Sequence, residues 1–260
     1  KRELLLTQAH AFIKNNKLEK SIDPLHEAFS MTKKKSEKNR LLFIEGQVHD
    51  QLGNNDLAIK RFNQLLGLNP EHEMTFQTKL NLAKIYKSAD MSMSKIRQML
   101  LEMIRDDKNI DKLDVLYYLL AEIEKDDFNV EKAISYLNSS VSHSMSNEKQ
   151  KGLSYIMAGD IYYGMETYRT AYAYYDSALS ILPKDFENIS DIEFRSNTLG
   201  KLVIHLDVIE YQDSMQYLAS LSESALDEVI DEIIEKKLAE LEALEEAEAQ
   251  EENQQSLDQN

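Results

Sequence analysis

Residues Leu42 to Pro70 read LFIEGQVHDQLGNNDLAIKRFNQLLGLNP. In this stretch Gly46 is followed after 12 residues by Ala58, after 16 by Phe62 and after 24 by Pro70. Residues Tyr155 to Pro183, YIMAGDIYYGMETYRTAYAYYDSALSILP, repeat the spacing. There Gly159 is followed by Ala171 after 12, Tyr175 after 16, Ala178 after 19 and Pro183 after 24. Such spacing predicts two antiparallel helices that approach closely where side chains are small. Gly46 or Gly159 on the first helix is expected to face Ala58 or Ala171 on the second, while Phe62, Tyr162 and Tyr175 fill the space between pairs. Pro70 and Pro183 end the second helix, because proline has no N–H to donate. Gly53-Asn54 separates the two helices of the earlier pair.

Weaker copies appear on the same ruler. Ala9, Phe12, Ser21, Leu25 and Ala28 fit one, and Ala121, Ala133, Leu137 and Ser140 fit another. Ala83 and Tyr86 fit a degraded copy whose second helix, around Ile96 to Ile104, is rich in methionine. Repeat starts fall near residues 2, 39, 76, 114 and 152. A step near 34 residues is the period of the tetratricopeptide repeat (TPR). The steps here are slightly longer, so a short extra linker is expected in each. The reading is therefore all-α: a right-handed TPR superhelix of about five helix pairs over 1–189. Longer capping helices and a degenerate repeat are expected over 190–245, and an acidic, unstructured tail over 246–260. Within the capping region Ile189 to Tyr211 reads as one helix. Asp213 is placed as the N-cap of a second, to about Leu221, and Ser222 as the N-cap of a third, to about Leu244. The third carries Leu226, Val229, Ile230, Ile233, Ile234 and Leu238 on one stripe.

Three Pro and seven Gly in 260 residues argue against turn-rich β folds and glycine-rich phosphate loops. The absence of cysteine removes disulfides, thiolate metal sites and cysteine nucleophiles. The formal charge of -16 is unevenly spread: residues 1–110 carry net +5 and residues 111–260 net -21. An acidic second half is unsuited to nucleic acid, whose phosphates call for Lys and Arg. The basic run Lys33 to Lys38 is short, contains Glu37, and reads as a solvated loop between repeats. No apolar run approaches a membrane span. No signal peptide is visible, and because the chain opens on Lys1 without a Met it is expected to be part of a longer protein.

Catalytic and cofactor signatures are missing: no G-x-x-x-x-G-K-[ST], G-x-G-x-x-G, G-x-S-x-G or H-E-x-x-H. Glu71-His72-Glu73 is the nearest approach to a metal triplet but falls in an inter-repeat turn. Asp106, Asp107, Asn109 and Asp111 lack the Gly and terminal Glu of a calcium loop. Tyr162, Tyr168, Tyr172 and Tyr175 fall where TPR packing needs bulk, and Met91, Met93, Met99 and Met103 read as gap-filling core. No enzyme, cofactor or metal is expected.

A partner would be met on the first helices of the pairs. The expected outward positions are Leu6, His10, Ile13 and Lys14; Arg40, Phe43, Gln47 and Asp50; and Gln77, Leu80, Lys84 and Lys87. Val115, Tyr118, Glu122 and Lys125 continue the face, followed by Ile156, Asp160 and Tyr163. The residues chosen as partner-binding are His10, Lys14, Arg40, Phe43, Gln47, Asp50, Lys84, Lys87, Tyr118, Glu122, Asp160 and Tyr163. Cations dominate the early repeats and anions the later ones. A peptide or helix with acidic groups toward the N-terminal end is the expected ligand, with ordinary solvation as the alternative. The Lys/Asn/Arg clamp of chaperone-tail TPR domains lacks its Asn here.

Three stretches resemble the SprE/PorW family. They are Glu37 through Arg40, Phe43-Ile44, Gly46-Gln47, Leu52-Gly53 and Asp56 to Asn69; Gly159 to Tyr163 with Tyr168, Thr170-Ala171 and Ala173 to Ser177; and Asp213-Ser214, Leu218 and Leu221-Ser222-Glu223. Members of that family are TPR lipoproteins of the type IX secretion and gliding-motility machinery. The resemblance implies a non-enzymatic periplasmic scaffold associated with the outer membrane. Its partners would be the type IX secretion ring and translocon components, and its only membrane attachment a lipid anchor outside this chain. The alternative is a generic cytosolic TPR peptide-binding module.

Overall fold

The structure is a computed structural model of the chain, and it describes residues 1–88 and 93–258. Met91, read above as core, lies outside them. Five helix pairs follow one another: α1 (Arg2–Lys14) with α2 (Leu18–Met31), α3 (Lys35–Gln51) with α4 (Asn55–Gly67), and α5 (His72–Ser88) with α6 (Met93–Ile104). After a 3-10 turn, Asp107–Lys112, come α7 (Leu113–Asp126) with α8 (Val130–His143) and α9 (Glu148–Gly164) with α10 (Tyr168–Ile181). Two long helices complete the chain, α11 (Ile189–Ser220) and α12 (Glu223–Asp258). Each pair packs internally and then on the next, so the core is a series of inter-helix layers. This is the stacked architecture of a TPR solenoid, in which each unit buries its apolar face only against neighbours.

Two compact units are distinguished. Lys1–Ser196 holds the five pairs and the first turns of α11; Asn197–Asn260 holds the rest of α11 and α12.

The turn inside the pairs is built the same way wherever it is described. Asn16, Gly53, Phe128 and Glu166 sit in the left-handed region, at φ 54°, 73°, 60° and 60°. The next residue's N–H then reaches back five residues: Lys17 to the Phe12 carbonyl, Asn54 to His49, Asn129 to Glu124 and Thr167 to Tyr162, at 2.8–3.0 Å. This is the Schellman closure, which satisfies carbonyls that a helix end leaves unpaired. Only one of the four positions is glycine; the others hold a conformation that costs an L-residue about 1–2 kcal/mol.

Close approach within a pair differs in one respect from the spacing argument. Ala58 and Ala171 are fully buried. The glycines, however, accommodate the aromatic residue 16 positions on. A Cβ on Gly46 would lie 2.6 Å from Cε1 of Phe62, and one on Gly159 would lie 2.9 Å from Cε1 of Tyr175. The rings are thus keys set into notches on the first helix of their own pair, and Phe62 at the same time packs against Leu82 and Ile85 of the next pair, filling the space between pairs as the spacing implied. A third notch, Gly152 against Leu182, has its Cβ position 2.4 Å from Cδ2 of the leucine.

Other readings are modified. Lys35 to Lys38 forms the first turn of α3 rather than loop, and Lys38 Nζ lies 5.5 Å over the Phe29 ring. Leu80, placed outward by the sequence, is buried with Phe76, Ile96 and Leu100. Tyr175 is fully buried, whereas Tyr162, Tyr168 and Tyr172 are half-buried. Asp213 begins no helix: α11 runs unbroken past it to Ser220, since no proline or glycine between Lys201 and Ser220 interrupts it. Ser222 does cap α12, its Oγ accepting from the Ala225 N–H at 3.4 Å. That helix passes Leu244 and continues to Asp258, through most of the stretch read as an unstructured tail.

Candidate partner-binding face

The predicted residues fall into two groups. The first group ties neighbouring repeats together. Lys87 on α5 reaches Glu122 at 3.4 Å and Asp126 at 3.1 Å, both on α7. Asp160 on α9 accepts from Tyr175 Oη at 2.6 Å and pairs with Arg195 Nη1 at 2.8 Å. Asp50 on α3 is half-buried; burial pushes its carboxyl above the usual range, and Lys84 on α5 pulls it partly back. Tyr118 on α7 is pushed up to about 12 by burial, then by Glu122 and by Asp160 of the next first helix. Arg2 bonds Glu37 in the same way at the N-terminal end, joining α1 to α3. Phe43 also belongs with the packing residues, its ring centroid 5.9 Å from that of Phe62. Lys87, Glu122 and Asp160 therefore spend charge on inter-repeat contacts that sequence reasoning had assigned to a ligand.

The second group stays open. His10, Lys14, Arg40, Gln47, Lys84 and Tyr163 are exposed, Tyr163 meeting the edge of Tyr168 at 5.8 Å. Two of them, His10 and Arg40, border a cavity of about 510 Å³ between α1, α2 and α3. Its walls combine Leu6, Ile13, Leu41 and Ile44 with Arg2, Glu3 and Glu37, and Arg2 bonds both of those carboxylates. Arg40 makes no ion pair with a carboxylate among the described residues. A partly apolar socket beside an unspent guanidinium suits an aliphatic side chain next to a carboxylate.

Beneath this face lie buried ions that the sequence did not flag. Glu45 on α3, 1% exposed, is held by Arg61 Nε of α4 at 2.8 Å, with His49 Nε2 at 4.0 Å. Glu124 on α7 is likewise buried and takes Arg97 Nε of α6 at 2.6 Å and Asn129 Nδ2 at 2.9 Å. Asp114 accepts from Asn147 at 2.9 Å and from Ser144 at 3.3 Å, locking the α8–α9 turn to α7. A charged residue at a helical step looks the same in sequence whether solvated or enclosed, so no signal distinguished them. Among the described residues no three His, Cys, Asp or Glu side chains converge as metal ligands, and no helix is long and apolar enough to cross a membrane.

Comparison with known proteins agrees with the architecture. Tetratricopeptide repeat sequences match residues 40–72 and 153–185, the two segments with the strongest spacing. No curated protein sequence matches the chain significantly. Among solved structures, the apo form of RapI superposes with a TM-score of 0.66 at 13% identity, over 91% of this chain and 70% of that one. BtubC from P. vanneervenii gives 0.59 at 14% identity, over 84% and 93% respectively. A signal transduction ATPase with a tetratricopeptide repeat sensor, from Pyrococcus horikoshii, gives 0.60 at 16% identity; the match covers 87% of this chain but 34% of that one. At such identities the likeness establishes the fold: an all-α TPR solenoid. Arrays of this kind present extended surfaces to other proteins.

Proposed function

We propose that the chain is a non-enzymatic adaptor that grips a partner protein on the first-helix face of its N-terminal repeats. The observation that carries this reading is the cavity between α1, α2 and α3, which sets Leu6, Ile13, Leu41 and Ile44 beside His10 and beside Arg40, unpaired among the described residues, while Arg2 holds the neighbouring Glu3 and Glu37. An extended or helical segment would insert an aliphatic side chain there and set a carboxylate against Arg40. Lys14 and Lys84, exposed on α1 and α5, extend the positive character. The acidic later repeats would favour cationic groups further along the same ligand.

Within that role we place the chain in type IX secretion and gliding motility, as a periplasmic, outer-membrane-associated scaffold. It would link trans-envelope ring components to the outer-membrane translocon, with any lipid anchor carried outside these residues. Support comes from the segments quoted above, above all Ala173-Tyr174-Tyr175-Asp176-Ser177 and Asp213-Ser214 with Leu221-Ser222-Glu223. Deleting the gene should abolish secretion of cargo proteins, and Arg40→Glu should lose co-purification of the translocon while the protein still accumulates. Undiminished cargo secretion in the deletion strain would reject the secretion role. Full co-purification by the Arg40 variant would reject the socket.

A further inference from the structure

Unit two presents an apolar face that its own fold leaves bare. Along α12, Ile230, Ile233, Ile234, Leu238 and Leu241 are 44–55% exposed. Their steps of 3, 1, 4 and 3 place them on one side of the helix over about 17 Å. One turn earlier, Leu226 and Val229 on the same side are only part-exposed, so the bare stretch begins at Ile230. Five aliphatic side chains in three turns, with Lys237 set among them between Ile233 and Leu241, form a larger patch than scattered surface residues do, and mark a surface for a partner.

Charge selects the occupant. Asp227, Asp231, Glu235 and Glu242 run along one border of the stripe, and residues 222–260 hold 14 acidic against two basic side chains. The two cations, Lys236 and Lys237, fall in a single turn, Lys236 at the border opposite the carboxylates and Lys237 within the stripe, leaving the acidic border free of cations. A second copy of α12 laid against this face would bring like charge to like charge over its whole length. A helix with an apolar stripe and Lys or Arg at its borders would satisfy both features at once: anchors at i, i+3, i+4 and i+7 enter the stripe while its cations meet the carboxylate border. We infer that the Ile230–Leu241 face of α12 is a docking surface for a basic amphipathic helix of another protein. This surface is distinct in residues and in charge from the first-helix face of the repeats, and does not depend on the role proposed for it.

The test uses the whole chain and two synthetic 18-residue amphipathic peptides of equal apolar content, one with leucine and lysine, the other with leucine and glutamate. Calorimetry at low salt should show the lysine peptide binding at least tenfold more tightly than the glutamate peptide, with the preference shrinking as salt screens the borders. Ile230→Ser/Ile234→Ser/Leu238→Ser should cut lysine-peptide binding at least tenfold with helix content unchanged by circular dichroism. Asp231→Lys/Glu235→Lys should reduce the preference. Equal binding by the wild type and the serine variant would overturn the proposal, because attraction would then rest on net charge alone. Sedimentation showing a wild-type dimer that the serine variant dissolves would overturn it in favour of self-association.

Discussion

The Cβ that Gly159 lacks would stand 2.9 Å from Cε1 of Tyr175, whose ring is fully buried on the facing helix. Gly46 and Phe62 repeat the relationship more tightly, at 2.6 Å. The repeat is thus held by a ring seated in a notch, and the seat exists only where the first helix has no side chain. Tyr175 carries its hydroxyl out to Asp160, so the same ring that fills the notch also reaches the face where a partner would bind.

Gly46→Ala should therefore destabilise the protein by about 1–2 kcal/mol, since overpacking outweighs the helix propensity alanine gains. Gly164→Ala meets nothing within 4 Å and should gain stability instead. Ala171→Leu, at a fully buried site, should cost about 1–3 kcal/mol. Urea denaturation of the three variants separates the effects; a stable Gly46 variant would mean the Phe62 ring can shift aside.

Phe128 and Glu166 hold left-handed backbone at φ 60° without being glycine. Phe128 is also 90% exposed and has little packing to lose. Phe128→Gly and Glu166→Gly should each raise stability by about 1 kcal/mol, less the entropy glycine adds to the unfolded chain. Gly53→Ala, at φ 73°, should lower it by about as much. Melting temperatures that move the opposite way at both turn types would refute the shared closure.

Removing Arg61 alone would leave Glu45 enclosed without its partner. Arg61→Met is expected to cost about 3–5 kcal/mol, and Arg61→Met with Glu45→Gln to recover much of it. A single variant as stable as the wild type would show that water reaches Glu45.

Stability should fall at both ends of the pH range. Burial holds His49 below its ordinary 6.5, with Arg61 adding to the effect and Glu45 opposing it. Below that value the unfolded chain takes up the proton first, so the contribution is complete above about pH 6.5 and is lost as pH drops. Tyr118 is raised to about 12 from 10, so its contribution is complete below pH 10 and is lost between 10 and 12. His49→Gln should flatten the acid limb and Tyr118→Phe the alkaline one. Limbs unchanged by these substitutions would assign the pH dependence to other groups.

Much of the fold was legible because the glycine and alanine positions leave a periodic trace: Gly46 with Ala58 and Gly159 with Ala171 mark where helices touch. What spacing does not encode is which atom meets the glycine, so the ring at the sixteenth position was read only as filling the space between pairs and its seat in the notch was missed. Gly152 against Leu182 escaped because it lies a full two turns before the ruler's first mark. The expected break at Asp213 rested on a capping preference alone, and nothing nearby obliges a helix to stop. On the face itself, helical phasing placed His10 and Arg40 outward and both are exposed, while Lys87 and Asp160 looked free because ion pairs between repeats span 35 residues or more of chain. Buried Glu45 and Glu124 were invisible for the same reason: their partners become neighbours only after folding.

Cross-linking with mass spectrometry on the native complex bears most directly on the adaptor role. A lysine-reactive linker should join Lys14 of α1 and Lys84 of α5 to the partner protein, and Arg40→Glu should remove both links. Links confined to Lys20, Lys60 and Lys132, on the second helices α2, α4 and α8, would contradict binding on the first-helix face.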